Sequence, residues 1–171
     1  MPKYRTPDGL EEHACIDRAV LDLMVDLERQ RPWAEDEIAR TISTPGDVRD
    51  SLRRLRSSRL IHRWNDLAVA AHPAVRFHEI TQPGDGLSPG DATERDWDKA
   101  VLEGLLVRSA DGEGPRTEQQ TYEAFGARKQ KKRLAIADAL DRLDGAGLIE
   151  RRGGRSIPSE IARRLDELMT L

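Results

Sequence analysis

One segment of this chain occurs twice, and that repetition restricts the fold more than any other feature. Val48 to Trp64 reads VRDSLRRLRSSRLIHRW, and Ile136 to Arg152, 88 positions later, reads IADALDRLDGAGLIERR. Val48/Ile136, Leu52/Leu140, Leu55/Leu143, Leu60/Leu148 and Ile61/Ile149 are apolar at matching places. Spacing of i, i+4, i+7 puts the first three on one face of a helix. A break follows at Ser57-Ser58 in one copy and at Gly145-Ala146-Gly147 in the other, and Leu-Ile then opens a short extended run that ends in basic residues. The duplication reaches further back, because Asp98-Lys-Ala-Val-Leu-Glu repeats Asp17-Arg-Ala-Val-Leu-Asp. A unit written twice implies one supersecondary structure built twice.

Helix, tight break and strand, as carried by Val48–Trp64 and Ile136–Arg152, is similar to the third helix and wing of a winged helix-turn-helix protein. The resemblance implies a mainly α (α+β) fold: two tandem winged helix-turn-helix modules with small β-hairpin wings. Residues 10–80 form the first module in this reading and residues 93–171 the second. The linker is 81–92, TQPGDGLSPGDA with Thr81 first, which has two prolines, three glycines and no apolar periodicity. Residues 1–9 read as a loose arm, in which Lys3, Tyr4 and Arg5 either reach a groove or simply fray.

In the first module the pattern predicts helices over Leu10–Gln30, with Ile16, Val20, Leu23, Met24 and Leu27 as the apolar stripe, and over Ala34–Ile42. Thr44, Pro45 and Asp47 have the form of a capping box at the head of the third helix, which runs to about Ser58. Leu60–Trp64 and Leu67–Ala70 are the hairpin strands around Asn65-Asp66, and a helix follows over Pro73–Ile80. In the second module Thr93 caps a helix to about Ser109, and Thr117–Phe125 is the next. The basic run Arg128–Arg133 falls in an insertion ahead of the third helix. Leu148–Arg152 and Arg155–Ile157 flank Gly153-Gly154, and Ser159 caps an amphipathic C-terminal helix with Ile161, Leu165, Leu168 and Met169 on its apolar face.

The net charge of the chain is −3, which does not advertise a nucleic-acid partner, but clustering sets the local field. Residues 49–63 hold six arginines against one acid, Asp50, and residues 128–133 hold five basic residues in six. Much of the acid lies in the first helix, at Glu11, Glu12, Asp17, Asp22, Asp26 and Glu28. No apolar run approaches a membrane span. A single cysteine, Cys15, excludes an internal disulfide framework and points to a reducing cytoplasm. No Gly-rich phosphate loop, HExxH or GxSxG motif occurs, so neither catalysis nor a cofactor is expected. His13 and Cys15, two apart on a helix, face different ways and supply no metal site.

The resemblance implies that the third helix enters the major groove and the wing touches backbone or minor groove. Helical geometry gathers Arg49, Arg53 and Arg56 on one lateral face, where guanidinium groups suit phosphates and guanine edges. The alternative is a solvated arginine face, and Arg54 points elsewhere, toward a surface ion pair. Thr44 at the helix start, and Arg63 and Trp64 on the wing, complete the first module's candidate contacts. Trp64 either wedges against a partner or packs across its own hairpin. In the second module the counterparts of Arg49, Arg53 and Arg56 are Ala137, Asp141 and Asp144, which repel phosphate. Its candidates are instead Lys129, Lys131, Lys132 and Arg133 at the helix N-terminus and Arg152 and Arg155, beside Arg151, on the wing. A solvated charge run is the equal alternative.

The expected function is therefore that of a prokaryotic, cytoplasmic, non-enzymatic transcriptional regulator binding double-stranded DNA. A homodimer through the C-terminal or N-terminal helix, and a protein partner at the second module, are compatible with the same pattern. The competing reading is a protein–protein adaptor or chromosome-organising accessory subunit built from tandem winged helices, favoured by the acidic third helix of the second module.

Overall fold

The computed structural model describes residues 8–26, 31–42, 45–82 and 93–170. Asp8 and Gly9, expected in the N-terminal arm, open the first helix, whereas residues 1–7 of that arm, the capping residue Thr44, Leu27 and most of the expected linker lie outside the described residues. So do the side chains that would complete the cap at Asp47.

One order of elements is run through twice. It is helix α1 (Asp8–Val25), strand β1 (Trp33–Ala34), α2 (Glu35–Ile42), α3 (Pro45–Ser57), β2 (Ile61–Trp64), β3 (Leu67–Ala70) and α4 (His72–Thr81). It is then α5 (Glu94–Ala110), β4 (Arg116–Thr117), α6 (Glu118–Ala124), α7 (Gln130–Gly145), β5 (Ile149–Arg152), β6 (Arg155–Pro158) and α8 (Glu160–Thr170). The protein is thus mainly helical with two small antiparallel sheets, ordered β1-β3-β2 and β4-β6-β5. The first hairpin pairs Ile61 with Ala70 and Trp64 with Leu67, and the second pairs Ile149 with Pro158 and Arg152 with Arg155.

Each sheet has a third strand that the pattern did not predict. Trp33–Ala34 pairs with Ala68 and Leu67, and Arg116–Thr117 pairs with Ser156 and Arg155. Two residues are too few to show the alternation that marks a strand. The first helix closes at Val25 rather than continuing toward Gln30. Its buried stripe is turned from the expected one: Val20, Leu21, Met24 and Val25 are buried, whereas Ile16 and Leu23 are only half-buried.

All ten repeated apolar side chains are at most 2% exposed. Burying each is worth about 1.5–3 kcal/mol. α3 packs on α1, α2 and β2, and α7 packs on α5, α6 and β5. Contacts divide the chain into two compact units, Met1–Val75 with Arg164–Leu171, and Arg76–Arg163. The sequence places the division later, at 81–92.

The second copy is well capped. Thr93 accepts from the Asp96 amide while the Asp96 carboxylate accepts from Thr93, and Thr117 and Gln120 do the same at α6. Ser159 Oγ accepts from the Ala162 amide. α7 begins at Gln130, so Lys131, Lys132 and Arg133 belong to its first turn rather than to an insertion ahead of it, and Lys129 is its N-cap. Straight-chain residues are good helix formers, and two of these side chains close the preceding turn. Lys132 donates to the Phe125 carbonyl at 2.6 Å and Arg133 to the Ala127 carbonyl at 2.9 Å.

Candidate nucleic-acid interface

Two ion pairs, present in both copies, hold the third helix and the hairpin in place. Asp17 on α1 is 2% exposed and accepts from Arg54 on α3, through Nη2 at 2.6 Å and Nε at 3.0 Å. Asp98 on α5 is fully buried and accepts from Arg142 on α7, through Nη2 at 2.7 Å and Nε at 3.0 Å. Asp17 is therefore not part of a solvated acidic face, and Arg54 is not a surface ion-pair partner. Both belong to the frame. Asp98 takes a second guanidinium, Arg76, at 2.7 Å.

The other pair joins the start of the second helix to the first strand of the hairpin. Glu35 pairs with Arg63, and Glu118 pairs with Arg151 at 3.3 Å. Arg63 is only 18% exposed at its side chain. The sequence reading offered it as a contact for DNA; its guanidinium is instead committed to Glu35. Glu35 also accepts from Arg49 Nε at 2.8 Å, and this bond holds the Arg49 pKa above its ordinary value. These three residues, with Asp36, Ala39, Arg40, Asn65 and Asp66, line an open groove of about 800 Å³.

Arg49 and Arg53 remain 64% and 68% exposed at their side chains, and Arg53 pairs with Asp50 at 3.0 Å, one turn away on the same helix. The Arg53–Asp50 pair, exposed on both sides, is weak and gives way readily to a better anion, whereas Arg49 is held by a Glu35 that is itself only 18% exposed. Arg56 is exposed and makes no side-chain ion pair to a described residue. Trp64 is 59% exposed beside the half-open Leu67, so it does not pack away across its own hairpin. Its ring lies 6.1 Å from that of His62.

No protein-family model and no curated protein matches this sequence.

In the second copy the matching helix positions carry Ala137, Asp141 and Asp144; both acids are exposed, and Asp141 pairs with Arg151. Lys129, Lys131 and Arg133 are exposed and Lys132 is half-buried; Lys132 and Arg133 also bond the carbonyls already described and lie over the rings of Trp97 and Tyr122, each at 5.7 Å. Arg152 pairs with Glu150 at 2.8 Å while remaining 85% exposed, and Arg155 is exposed opposite it. The candidates thus fall to each copy in turn. Arg49, Arg53, Arg56 and Trp64 belong to the first copy, and Lys129, Lys131, Arg152 and Arg155 to the second.

Sequence reasoning missed Glu35, Arg59 and His62. Glu35 gave no signal beyond its place at a helix start. Arg59 was legible as the residue aligned with Gly147. Among the described residues, no group of three His, Cys, Asp or Glu is placed to hold a metal ion, and no helix is long and apolar enough to cross a membrane.

Proposed function

We propose that the chain is a non-enzymatic DNA-binding protein of the prokaryotic transcriptional-regulator type, built from two winged helix-turn-helix modules. The first module meets duplex DNA through α3, and the second supplies backbone contacts or an interaction surface. The order helix, short strand, two helices and hairpin supports the winged reading of each module. The carrying observation is the exposed arginine face of α3, on which Arg53 makes only a weak surface pair to Asp50 and Arg49 stays 64% exposed beside the largely buried Glu35. A helix framed from behind by Arg54–Asp17 and flanked by the hairpin can present that face to a groove, where arginine matches phosphate and guanine.

Fluorescence anisotropy with mixed-sequence duplex at two salt concentrations tests this, using wild type and Arg49→Glu/Arg53→Glu. Binding that falls steeply with salt, as counterion release requires, and is lost in the double variant is the expected result. Salt-sensitive binding unaffected by the substitutions moves the contact to the start of α7. No binding at low salt removes the DNA-binding proposal.

A specific observation favours the adaptor reading for the second module. Leu134 on α7 and Val107 on α5 are 56% and 63% exposed, and the neighbouring acids on α7 disfavour phosphate. A protein partner there is compatible with DNA contact by the first module.

A further inference from the structure

Between the end of α3 and the outer face of β2 lies a cleft of about 330 Å³, lined by Arg56, Arg59, Ile61, His62, Arg63 and Trp64. No acidic side chain lines it. Trp64 offers an open ring, and Arg56 and Arg59 carry guanidinium groups that make no side-chain ion pair to a described residue.

Arg59 is there at a conformational cost. It has φ 59°, a left-handed value, and Gly147 at the matching place has φ 72°. The two turns are otherwise the same. The amides of Arg59 and Leu60 donate to the carbonyls of Arg56 and Leu55, at 3.0 and 2.9 Å, and those of Gly147 and Leu148 donate to Asp144 and Leu143, both at 2.9 Å. This is the glycine-favouring helix stop, and an arginine occupies it in one copy only.

The second copy serves as an internal control. Its residues at the places of Arg56, Arg59, His62 and Trp64 are Asp144, Gly147, Glu150 and Arg152. The fold therefore requires none of the four. What the first copy adds is a pair of cations beside an open aromatic face.

We propose that this cleft holds an unpaired nucleotide, its phosphate on Arg56 and Arg59 and its base stacked on Trp64. Stacking on an aromatic ring beside a basic track is how unpaired bases are held without sequence preference. A base within a duplex has its faces covered by its neighbours, so the preferred polymer is one with a single-stranded extension. This inference rests on the DNA-binding reading of the first module and adds a structural preference to it.

The test compares a blunt duplex with the same duplex carrying a four-nucleotide single-stranded extension, by anisotropy, with adenosine monophosphate as a soluble competitor. Wild type is expected to bind the extended form about tenfold more tightly. Arg59→Gly, which relaxes the turn, and Trp64→Ala should remove that increment, and Trp64→Phe should keep most of it. Competition by adenosine monophosphate at millimolar concentration assigns the cleft to free nucleotides as well as strand ends, which upholds the shared chemistry. Equal affinity for the two duplexes, or an increment that survives both Arg59→Gly and Trp64→Ala, overturns the inference while leaving the duplex-binding proposal standing. Absence of any binding to the blunt form, with the increment intact on the extended form, overturns duplex reading and leaves the cleft.

Discussion

Asp98 is buried with a formal charge, and Arg142 and Arg76 are the groups that offset the loss of its hydration. Removing one member of a buried pair costs about 3–5 kcal/mol, because the remaining charge is left without a partner. Asp98→Ala should fall toward the lower end of that range, read as a drop in the urea midpoint, because both arginine side chains are 28% exposed and Arg76 keeps Glu79 at 3.0 Å. Asp17→Ala should lose less, since Asp17 binds one guanidinium where Asp98 binds two. Equal small losses at both positions would contradict this account. Arg59 makes the opposite case. Relieving its left-handed backbone with glycine should raise stability by about 1 kcal/mol, even as it empties the cleft of a cation. Tyr122 supplies a pH test. Burial, then its hydrogen bond to Glu118, pushes the phenol up to about 12 from its ordinary 10. The neutral phenol is the favoured folded form, so its contribution is complete below about pH 10 and disappears as pH rises through 12. Absorbance at 295 nm, wild type minus Tyr122→Phe, should show that late titration coinciding with loss of structure.

At the scale of elements, α5 depends on its cap. Thr93→Ala should cost about 1 kcal/mol. Its reciprocal partner Asp96 is held below the ordinary carboxylate pKa, mainly by the Thr93 hydroxyl. The cap's ionic part is therefore present above the usual carboxylate range and is lost as pH falls through the lowered value. Thermal melts from pH 7 down to pH 3 should show the gap between wild type and Asp96→Asn closing. Glu35 is the element-level control on the candidate site. Glu35→Gln releases Arg49 from an ionic partner and removes a negative charge beside α3, so duplex affinity should rise and its salt dependence steepen. Unchanged affinity would remove Arg49 from the interface. The helices and hairpins were legible because their apolar residues recur at helical spacing and their turns carry Asn-Asp or Gly-Gly. The two-residue strands were not, since they have no period. The bonds of Arg54 and Arg63 were also hidden: spacing shows which way a side chain leaves its own helix, but not which acid stands opposite on another element. Trp64 could be read as belonging to the hairpin tip, but its exposure depends on neighbours that sequence does not display.

The whole molecule carries a net charge of −3, yet its two copies divide their surface charge unequally. The first places arginines where the second places acids, on equivalent helices. Ala137→Arg/Asp144→Arg should therefore give α7 a phosphate-compatible face, leaving Asp141 to its pair with Arg151. Each added contact should raise the magnitude of the slope of log affinity against log salt by about 0.9. A slope unchanged from wild type would show that the second copy does not approach the duplex. The repeated ion pairs have a consequence for how such a chain can change over time. Asp17 with Arg54 and Asp98 with Arg142 keep the same partners in the same register, as do Glu35 with Arg63 and Glu118 with Arg151. A recombination event that copied one helix–hairpin segment over the other would arrive with both of its ionic partners already waiting. Folding would tolerate the exchange, while the chemistry displayed at the surface would be rewritten in a single step.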